Sequence, residues 1–573
     1  MLSYRKLAMR VLGRPLHTEG IDSPRPASQR AAALVLTAAM LTTLAAPAFA
    51  KTWYIENGNI TVKAGKIEGT NKVSQGETTD EKDTDTVITN RDKDTASSHT
   101  VTINANGKND KVEVTLKDVN IEANSGPALT SKGDVTLTLK GENHLTGGNG
   151  GRYGGSGITS NGSLTITGGE NDSLTAQGGS SADGGSGSYG GDGIGSGIGS
   201  SSGLTISGGT VNAAGGSGIG SSSGGLTISG GTVNAAGGSG SYGGSGSGIY
   251  SRGGVTISGG TVTANGGDGS NVSGSGITSN GGVTISGGTV NAAGGSGSYG
   301  GNGIYSRSSL TISGGTVNAT GRDGKNGYGG GGIWSGGVTI SGGTVTANGG
   351  NGGSGSYGGD GIGSIGGVAI SGGTVTANGG NGGNGGDGIC SSGIDLSGSL
   401  ELTAKAGSPN GRALSQNGDE LDLNTIKDKL GPGAKVTATD ANGKVNQVSI
   451  PRPVESSSSS SSSFSSDGGS AAPSAPASPL PGLTVTDRDG QRISYTSTQS
   501  GNTLTVCVGR LTASFRISLA ALRQLRAEGI ETITFQTILC STTLSVDELL
   551  AMGGEDAEAV LTHRFTDSSL TVG

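Results

Sequence analysis

The sequence predicts an all-β fold, a parallel β-helix with three short strands per turn, followed by a linker and a small α+β domain. The first observation behind this prediction is a repeat, written most plainly at 255–267 as VTISGGTVTANGG. Its copies begin at residues 204, 226, 255, 283, 310, 338 and 368, so successive copies start 22 to 30 residues apart. A period in that range is typical of solenoid proteins.

The second observation is strand periodicity within each copy. Val255 and Ile257 alternate with polar residues, and Val262 and Ala264 do the same after a Gly-Gly pair. A third short strand, Gly-Ile-x-Ser, precedes each copy, as at 248–251. Alternation with a period of two indicates strands. Three strands joined by glycine corners make one turn, and each turn buries its apolar face only by stacking on its neighbours, about 4.8 Å away.

The longer copies carry insertions at one corner, between the last strand of one turn and the Gly-Ile of the next. They lie at 237–247, 294–302 and 349–360. Insertions at one corner project from one face of a solenoid. Four buried aliphatic residues per turn contribute about 8 kcal/mol, whereas ordering ten further residues costs at least about 10 kcal/mol. We therefore expect the insertions to be mobile unless a ligand or an ion orders them.

The first 50 residues are typical of a secretory signal peptide. They hold six basic residues, an apolar run at 31–44 and the small-residue motif Ala48-Phe49-Ala50, which predicts cleavage before Lys51. Retention of the apolar run as an anchor is the alternative. The mature protein is expected to be secreted, and extracellular or associated with the cell surface.

The charge of the chain excludes one class of partner. The net charge is −7, and it becomes −11 without the first 50 residues, which carry six basic and two acidic residues. Binding to phosphate backbones needs clustered Lys and Arg, so a nucleic-acid partner is not expected. No stretch after the signal approaches the roughly 18 apolar residues of a membrane span, so no stable span is expected in the mature chain.

The regular turns are flanked by irregular segments. Residues 51–150 are predicted to form an N-terminal cap and irregular turns, 151–400 the regular glycine-rich turns, and 401–450 the C-terminal cap. Caps are needed because the open edges of a solenoid would otherwise pair with other chains. The charged segment 70–98 is interpreted as a solvated loop, with a metal site as the lesser alternative.

The phrase at 112–147, taken with the later turns, resembles a family of secreted bacterial carbohydrate-binding β-helix proteins. The motifs that carry the resemblance are Gly-Pro-Ala at 126–128, Gly-Glu-Asn at 141–143 and Leu-Thr-Gly-Gly at 145–148. The resemblance covers roughly residues 100–400. It implies a right-handed parallel β-helix, binding of polysaccharide, bound calcium and no catalysis. These motifs are turn signals, so they indicate the fold more strongly than the ligand.

The composition changes abruptly after the solenoid. Residues 451–482 contain a run of eight serines, followed by prolines at 473, 476, 479 and 481, which predicts a disordered linker. Residues 483–573 are predicted to form a small α+β domain of about 90 residues, with strands at 483–486, 504–508 and 532–535 and helices at 519–528 and 546–552. We interpret it as an attachment or spacing module.

Three cysteines are too few for a disulfide framework. A single Cys507–Cys540 bridge and two free thiols are both compatible with the sequence of the small domain. Cys390 is expected to point outward between Ile389 and Ser391 or to fill a small gap. No cysteine spacing indicates zinc.

Catalysis is not expected. β-helix enzymes that cleave polysaccharides need paired carboxylates or a base beside bound cations. In the regular turns the acidic residues are sparse and lie mostly on glycine loops, and no histidine lies there. A polysaccharide lyase or hydrolase therefore remains a minor alternative.

Aromatic residues are the candidate carbohydrate-binding side chains, because their faces pack against the C–H faces of sugars. One group occurs in the inserted loops within the motif Gly-Ser-Tyr-Gly-Gly and consists of Tyr189, Tyr242, Tyr299 and Tyr357. Tyr153 and Tyr328 lie in similar surroundings. A second group follows Gly-Ile and is predicted to face outward on neighbouring strands: Tyr250, Tyr305 and Trp334. The opposing interpretation is that duplication copied the loop tyrosines, or that they pack over the glycine backbone. Trp334 is expected to be exposed.

Calcium is the predicted cofactor. Asp192, Asp360 and Asp387 occupy one repeat position, Gly-Asp-Gly-Ile, and Asn302 occupies it in another copy. Residues 382–390 also fit the calcium-binding nonapeptide of secreted repeat toxins, although that site is built from tandem copies. Asp is also a common turn residue without any ligand.

The sequence thus predicts a non-catalytic protein that binds extracellular polysaccharide with calcium. The main alternative is a structural or adhesive surface protein that uses the solenoid as a spacer. A row of outward threonines also resembles the arrays of ice-binding solenoids, but Thr is favoured on exposed strands in any case.

Overall fold

The computed structural model describes residues 50–451 and 482–572, except 68, 106, 108, 109, 151–153, 182–189, 197–202, 222, 223, 241–244, 488–490, 494, 501, 509–511, 538–540, 553–556 and 564–567. The predicted signal peptide and linker, and the predicted residues Tyr189 and Tyr242, lie outside the described residues, apart from Ala50, Pro451 and Gly482 at the segment ends. The described residues form two compact units, one up to residue 455 and one after it.

The first unit is a parallel β-helix. Each regular turn has a first strand (Gly-Ile-x-Ser), a second strand (the Val-Thr-Ile segment) and a third strand (the Thr-Val-x-Ala segment). First and second strands belong to a 25-stranded sheet, and third strands belong to a 13-stranded sheet. Each strand pairs in parallel with the same strand of the next turn, so that Ile249 faces Ile277 and Val255 faces Val283. The predicted fold class is confirmed.

The strands are grouped below by their position in the turn, and each group is given in chain order. The first strands are Ile60–Ala64, Val101–Asn104, Ile194–Ser196, Ile219–Ser221, Ile249–Ser251, Ile277–Ser279, Ile362–Ser364, Ile389–Ser391 and Leu414–Gln416. The second strands are Lys51–Tyr54, Thr86–Thr89, Lys111–Lys117, Leu204–Ile206, Leu226–Ile228, Val255–Ile257, Val283–Ile285, Val368–Ile370 and Ile394–Leu396. First and second strands are continuous in Leu129–Lys140, Ile158–Thr167, Ile304–Ile312 and Ile333–Ile340. The third strands are Asn120–Glu122, Glu142–Thr146, Ser173–Gln177, Thr210–Gly215, Thr232–Gly237, Thr261–Asn265, Thr289–Ala293, Thr316–Thr320, Thr344–Asn348, Thr374–Asn378, Glu401–Lys405 and Lys435–Thr439.

The core consists of aliphatic columns that run along the helix axis. Ile257, Ile285 and their equivalents are fully buried in every regular turn. The serine of Gly-Ile-x-Ser also points inward, and its hydroxyl donates to a carbonyl of the following corner, as Ser279 does to Gly282 at 2.7 Å. The x residue between them points outward because side chains alternate along a strand.

The corner between the second and third strands requires glycine. The second residue of each Gly-Gly pair has a positive φ, 76° at both Gly260 and Gly288. A side chain is rarely tolerated there, because the left-handed region is accessible mainly to glycine. The repeated Gly-Gly therefore sets the sharp bend that keeps the turns in register.

The described parts of the insertions stack on one another. Isolated parallel bridges join Gly269 to Gly240 and Gly297 to Gly324. Backbone N–H groups of one loop donate to carbonyls of the next, as Gly324 does to Asn351 at 2.8 Å. The expectation of mobile loops counted only the burial of aliphatic side chains and left out this backbone ladder, and the mobility itself stays a prediction.

The N-terminal cap departs from the predicted solvated loop at 70–98. Ile60–Ala64, Asn71–Gln75 and Thr78–Asp83 form an antiparallel meander. Asp83 is fully buried, and its carboxylate accepts a hydrogen bond from Trp53 Nε1 at 2.7 Å. The charged residues of this segment lie mainly on the solvent side of these strands, so their charge did not prevent strand formation.

The C-terminal cap is an antiparallel hairpin with a short helix. Lys435–Thr439 pairs with Val445–Ser449, and a 3₁₀ helix spans Leu423–Lys429. Asp422 begins that helix, and its side chain accepts a hydrogen bond from the backbone N–H of Asn424. Asp419–Glu420 pairs with Leu414–Gln416, which is the first strand of the final turn.

The second unit has two four-stranded sheets and two helices, as expected for an α+β domain. One sheet contains Leu483–Thr486, Ala513–Ser518, Glu558–His563 and Ser568–Val572, and the other contains Thr496–Ser500, Thr503–Cys507, Thr532–Gln536 and Ser541–Ser545. The helices are Leu519–Ala527 and Val546–Met552. Cys507 is a free thiol, and Cys540 lies outside the described residues. Within the described part of the chain, no helix is long and apolar enough to cross a membrane.

Candidate functional site

Three columns of side chains run side by side along the solenoid, and within each turn their residues follow one another in the sequence. The first column comes from the inserted loops, the second from the corner residue two positions before the Ile of each first strand, and the third from the outward x residue of that strand. Because every turn repeats this order in parallel register, residues one turn apart become neighbours. All the predicted site residues that the structure describes belong to these columns.

The loop column contains a stack of three tyrosines, Tyr299, Tyr328 and Tyr357, which we call the tyrosine ladder. Their ring centroids lie 5.9 and 5.7 Å apart, with interplanar angles of 48° and 46°. The side chains remain 41, 53 and 53 % exposed. The backbone fixes their spacing, since the N–H groups of Gly300 and Gly329 donate to the carbonyls of Tyr328 and Tyr357 at 3.0 Å.

The tyrosine ladder includes two of the predicted site residues and a third tyrosine, Tyr328. The sequence places Tyr328 in similar surroundings but outside the Gly-Ser-Tyr-Gly-Gly motif, and in the structure it is the central ring. Its Gly-Tyr-Gly-Gly context and its place one turn from Tyr299 were the signals in the sequence. Tyr299 also lies over the backbone of the next loop, because a methyl group added to Gly327 would overlap its ring.

The first-strand column places Tyr305 and Trp334 side by side but separates Tyr250 from them. Tyr305 pairs with Trp334 in register, whereas Thr278 lies between Tyr250 and Tyr305. The prediction of three aromatic residues on neighbouring strands is therefore wrong for Tyr250. Its hydroxyl instead accepts a hydrogen bond from Arg252 Nε at 3.2 Å.

Trp334 is half-buried, which corrects the prediction that it is exposed. The x position of the next turn is Gly363, and a methyl group added there would overlap the edge of the indole ring. The same methyl group would lie 3.3 Å from Asp360 Oδ2. The indole thus covers the backbone of the next turn and lies beside the corner column.

The corner column has a structural function in every turn where Asp or Asn occupies it. The Oδ1 atom of each such residue accepts a hydrogen bond from the backbone N–H at the same position of the following turn. The distances are 2.6 Å for Asp192 with Ser217, 2.7 Å for Asn302 with Gly331, 2.8 Å for Asp360 with Asp387, and 2.7 Å for Asp387 with Arg412. Asn302 satisfies this bond as well as Asp, so the bond alone does not require a negative charge.

Asp192 lies apart from the other two predicted acids. Its carboxylate covers Gly220 of the following turn and lines an open groove of about 1150 Å³ together with Tyr250 and Thr278. Burial raises the pKa of Asp192, and its hydrogen bonds with Ser217 act in the opposite direction.

Asp360 and Asp387 converge with a residue that was not predicted as a ligand, Cys390. The carboxylate oxygens of the two acids and the thiol sulfur all lie within 4.8 Å of one another. We call these three residues the acidic corner. Burial raises the pKa of Asp360 to about 7, and the charge of Asp387 adds to the rise. Burial, followed by the charges of both acids, raises the pKa of Cys390 to about 12.

Glu420 extends this acidic region toward the C-terminal cap. Its carboxylate oxygens accept hydrogen bonds from the backbone N–H groups of Ala413 and Leu414, both at 3.0 Å. Burial raises the pKa of Glu420, and Asp387 contributes to the rise. Arg412 is the cationic side chain that opposes this shift.

The regular turns also match a known repeat. Five stretches fit a family model described as a beta helix repeat: residues 204–224, 226–249, 255–277, 283–304 and 310–332. These turns are similar to that repeat. The match agrees with the parallel register seen in the structure and supports the fold implied by the resemblance. Comparison with curated proteins and with solved structures gave no match.

Proposed function

We propose that this protein binds an extracellular polysaccharide without cleaving it, and that the tyrosine ladder is the main binding surface. The observation that carries the proposal is the regular exposure of three rings, one per turn, on an open face. A linear polymer lying along the helix axis would meet one ring per turn, at centroid spacings of 5.9 and 5.7 Å. That spacing is on the scale of one sugar unit in an extended chain.

The chemistry of the rings favours a sugar over other polymers. Tyrosine offers an apolar face to the C–H groups of a sugar and a hydroxyl to its oxygens. The net charge of −7 disfavours a phosphate backbone. The chain is poor in aromatic residues, at 3 %, so an exposed stack of three is a notable concentration.

Calcium belongs to this proposal as an ion that the glycan would help to hold. Calcium takes about six to eight oxygen ligands, and at Asp192 one carboxylate oxygen remains beside the groove after Oδ1 accepts the N–H of Ser217. Sugar hydroxyls or carboxylates would supply the remaining ligands. Calcium at Asp192, Asp360 and Asp387 stays a prediction. At Asp360 and Asp387 it competes with the site proposed below, and the titration given there decides between the two.

The second candidate function is that of a structural spacer or adhesin. The observation in its favour is that the repeated polar residues bond to their own equivalents in the next turn. Asn234 donates to Asn212, Asn318 to Asn291 and Asn378 to Asn348, each at 2.8 Å. A solenoid held together in this way needs no ligand to explain its polar columns. In this alternative the tyrosine ladder only stabilises the loops.

One observation bears on the hydrolase alternative. Asp360 and Asp387 form a close carboxylate pair, and hydrolases of glycosidic bonds use two carboxylates about 5–10 Å apart. Both acids, however, are fixed by backbone N–H groups and adjoin a thiol rather than an open cleft. We therefore assign them no catalytic step, and the assay below measures product release directly.

The test is retention of the purified full chain on insoluble and on acidic polysaccharides, with calcium and with chelator, while reducing ends are followed. The test variant combines Tyr299→Ala, Tyr328→Ala and Tyr357→Ala. We expect it to lose affinity by about 10-fold or more, since each ring contributes about 0.5–1.5 kcal/mol. A matched control replaces three outward threonines of second strands in the same part of the solenoid: Thr256→Ala, Thr284→Ala and Thr311→Ala.

Three outcomes separate the candidates. Retention that is lost in the tyrosine variant but kept in the threonine variant supports the proposal. Failure of the wild type to bind any glycan refutes it and leaves the spacer. Release of reducing ends, abolished by Asp360→Asn, would indicate a hydrolase instead.

A further inference from the structure

The acidic corner combines donor atoms of two chemical kinds on adjacent turns. Asp360 and Asp387 occupy the same position of successive turns, and Cys390 is the outward residue of the first strand that follows Asp387. Two carboxylates and a thiol within 4.8 Å of one another form a compact set. No sequence spacing predicted it, because parallel register brings the ligands together from two turns.

The backbone holds both carboxylates in fixed orientations. The N–H of Asp387 donates to Asp360 Oδ1 at 2.8 Å, and the N–H of Arg412 donates to Asp387 Oδ1 at 2.7 Å. The carboxylate of Asp387 also lies within hydrogen-bond reach of the Cys390 thiol, so the two groups face each other. Hydrogen bonds of this kind orient metal ligands in proteins and fix their geometry.

A fourth polar group, the hydroxyl of Ser415, lies beside this set. Ser415 faces Cys390 directly in the register of the first strands. It is only 1 % exposed, and among the described residues its Oγ atom meets no partner within ordinary hydrogen-bond limits and interacts with the Cys390 thiol alone. A buried hydroxyl without a partner costs free energy. The same hydroxyl next to a bound cation would contribute a ligand or bond to a metal-bound water.

We propose that Asp360, Asp387 and Cys390 form a binding site for one thiophilic divalent cation of the zinc class. Three protein ligands with an open fourth position suit zinc, which accepts sulfur and oxygen donors in a tetrahedral arrangement. Ser415 or a water molecule would occupy the fourth position. On binding, the Cys390 thiol loses its proton to solvent and coordinates as a thiolate.

The thiol distinguishes this site from a calcium site. Calcium is a hard cation that takes about six to eight oxygen ligands, whereas sulfur ligands favour softer cations. The site also differs from the tyrosine ladder, which lies in the loop column. Its occupancy does not depend on a glycan, so the proposal stands or falls separately from the proposed function.

The test is a titration of the full chain with Co²⁺ after removal of bound metal, under reducing conditions. The Cys507→Ser/Cys540→Ser background removes the other two thiols. We expect one Co²⁺ per chain, with the near-ultraviolet absorption band of a Co²⁺–thiolate bond. Zn²⁺ should displace the Co²⁺ and abolish the band, and excess Ca²⁺ should not.

Single substitutions assign the ligands. Cys390→Ser should abolish the thiolate band. It should also weaken Co²⁺ binding by at least about 100-fold, because changes to residues that only support metal ligands already weaken binding by up to about 100-fold. Asp387→Asn should weaken Co²⁺ binding. The new side-chain oxygen can still accept the backbone N–H of Arg412, as Asn302 Oδ1 accepts that of Gly331. Asp268→Asn is the matched control: Asp268 also accepts a backbone N–H from the next turn, that of Ser296 at 2.7 Å, but it is not part of the acidic corner, so the variant should leave binding unchanged.

Circular dichroism and thermal unfolding of each variant show whether the solenoid remains folded. The absence of a thiolate band in the folded parent protein would overturn the proposal. Displacement of Co²⁺ by Ca²⁺ would overturn it too, because it would indicate a site of oxygen ligands. A band that persists in folded Cys390→Ser would have the same consequence.

Discussion

Removal of the central ring of the tyrosine ladder should loosen the inserted loops more than removal of an end ring. Tyr328 contacts two rings, at 5.9 and 5.7 Å between centroids, whereas Tyr357 contacts one of these rings. At about 0.5–1.5 kcal/mol per aromatic pair, Tyr328→Ala should cost about 1–3 kcal/mol and Tyr357→Ala about half as much. If the loops open locally, the central substitution should speed amide exchange by about 5- to 150-fold.

The assay is hydrogen exchange followed by mass spectrometry on peptides that contain Gly300 and Gly329. Their N–H groups donate to the carbonyls of Tyr328 and Tyr357, so they report on contacts between loops. Thr311→Ala, on the second strand of the turn that follows the Tyr299 loop, is the control and should leave this exchange unchanged. Equal effects of Tyr328→Ala and Tyr357→Ala would refute the reasoning that each ring pair adds its own contribution to the stability of the loops. Unchanged exchange in both would show that the rings do not hold the loops.

Three further predictions concern the core, the indole and the small domain. Ile285→Ala removes a fully buried side chain and should lower the free energy of unfolding of the solenoid by about 2–5 kcal/mol in urea titrations. Gly363→Ala should displace Trp334 and shift its fluorescence, since the added methyl group would overlap the indole, whereas Gly337→Ala meets no atom within 4 Å and should change nothing. Burial lowers the pKa of His563, so the unfolded domain binds its proton more readily. The free energy of unfolding should fall as pH drops below about 6.5, and His563→Gln should reduce this dependence in urea titrations at several pH values.

The columns of the solenoid could be predicted from the sequence because they depend on local alternation and on the period of the repeat. Ile257 and Ile285 are inward in any three-stranded turn that preserves the Gly-Gly corner. The meander at Asn71–Gln75 could not be predicted in the same way. Its charges suggested solvent, but one face of an antiparallel strand tolerates charge while the other is buried.

The candidate site was predicted in part, because pairs of neighbours depend on the register between turns. The position shared by Asp360 and Asp387 was visible in the sequence, and so was the outward direction of Cys390. Their convergence also depends on how far the corner side chain reaches toward the outward residue, which no periodicity gives. The half-buried state of Trp334 depends likewise on a glycine in the next turn, Gly363.

The first strands give a reason to look for function at the outward position. In successive regular turns the inward residues remain Ile and Ser, as the buried core requires, up to the last turn, where Leu414 and Gln416 replace them. The outward residue between them changes from turn to turn: Gly195, Gly220, Tyr250, Thr278, Tyr305, Trp334, Gly363, Cys390 and Ser415. Copying of a repeat would reproduce all three residues equally, so duplication alone does not explain this contrast. The scaffold fixes the inward residues and leaves the outward ones free to differ, and it is there that Trp334 and Cys390 adjoin the acids of the corner column.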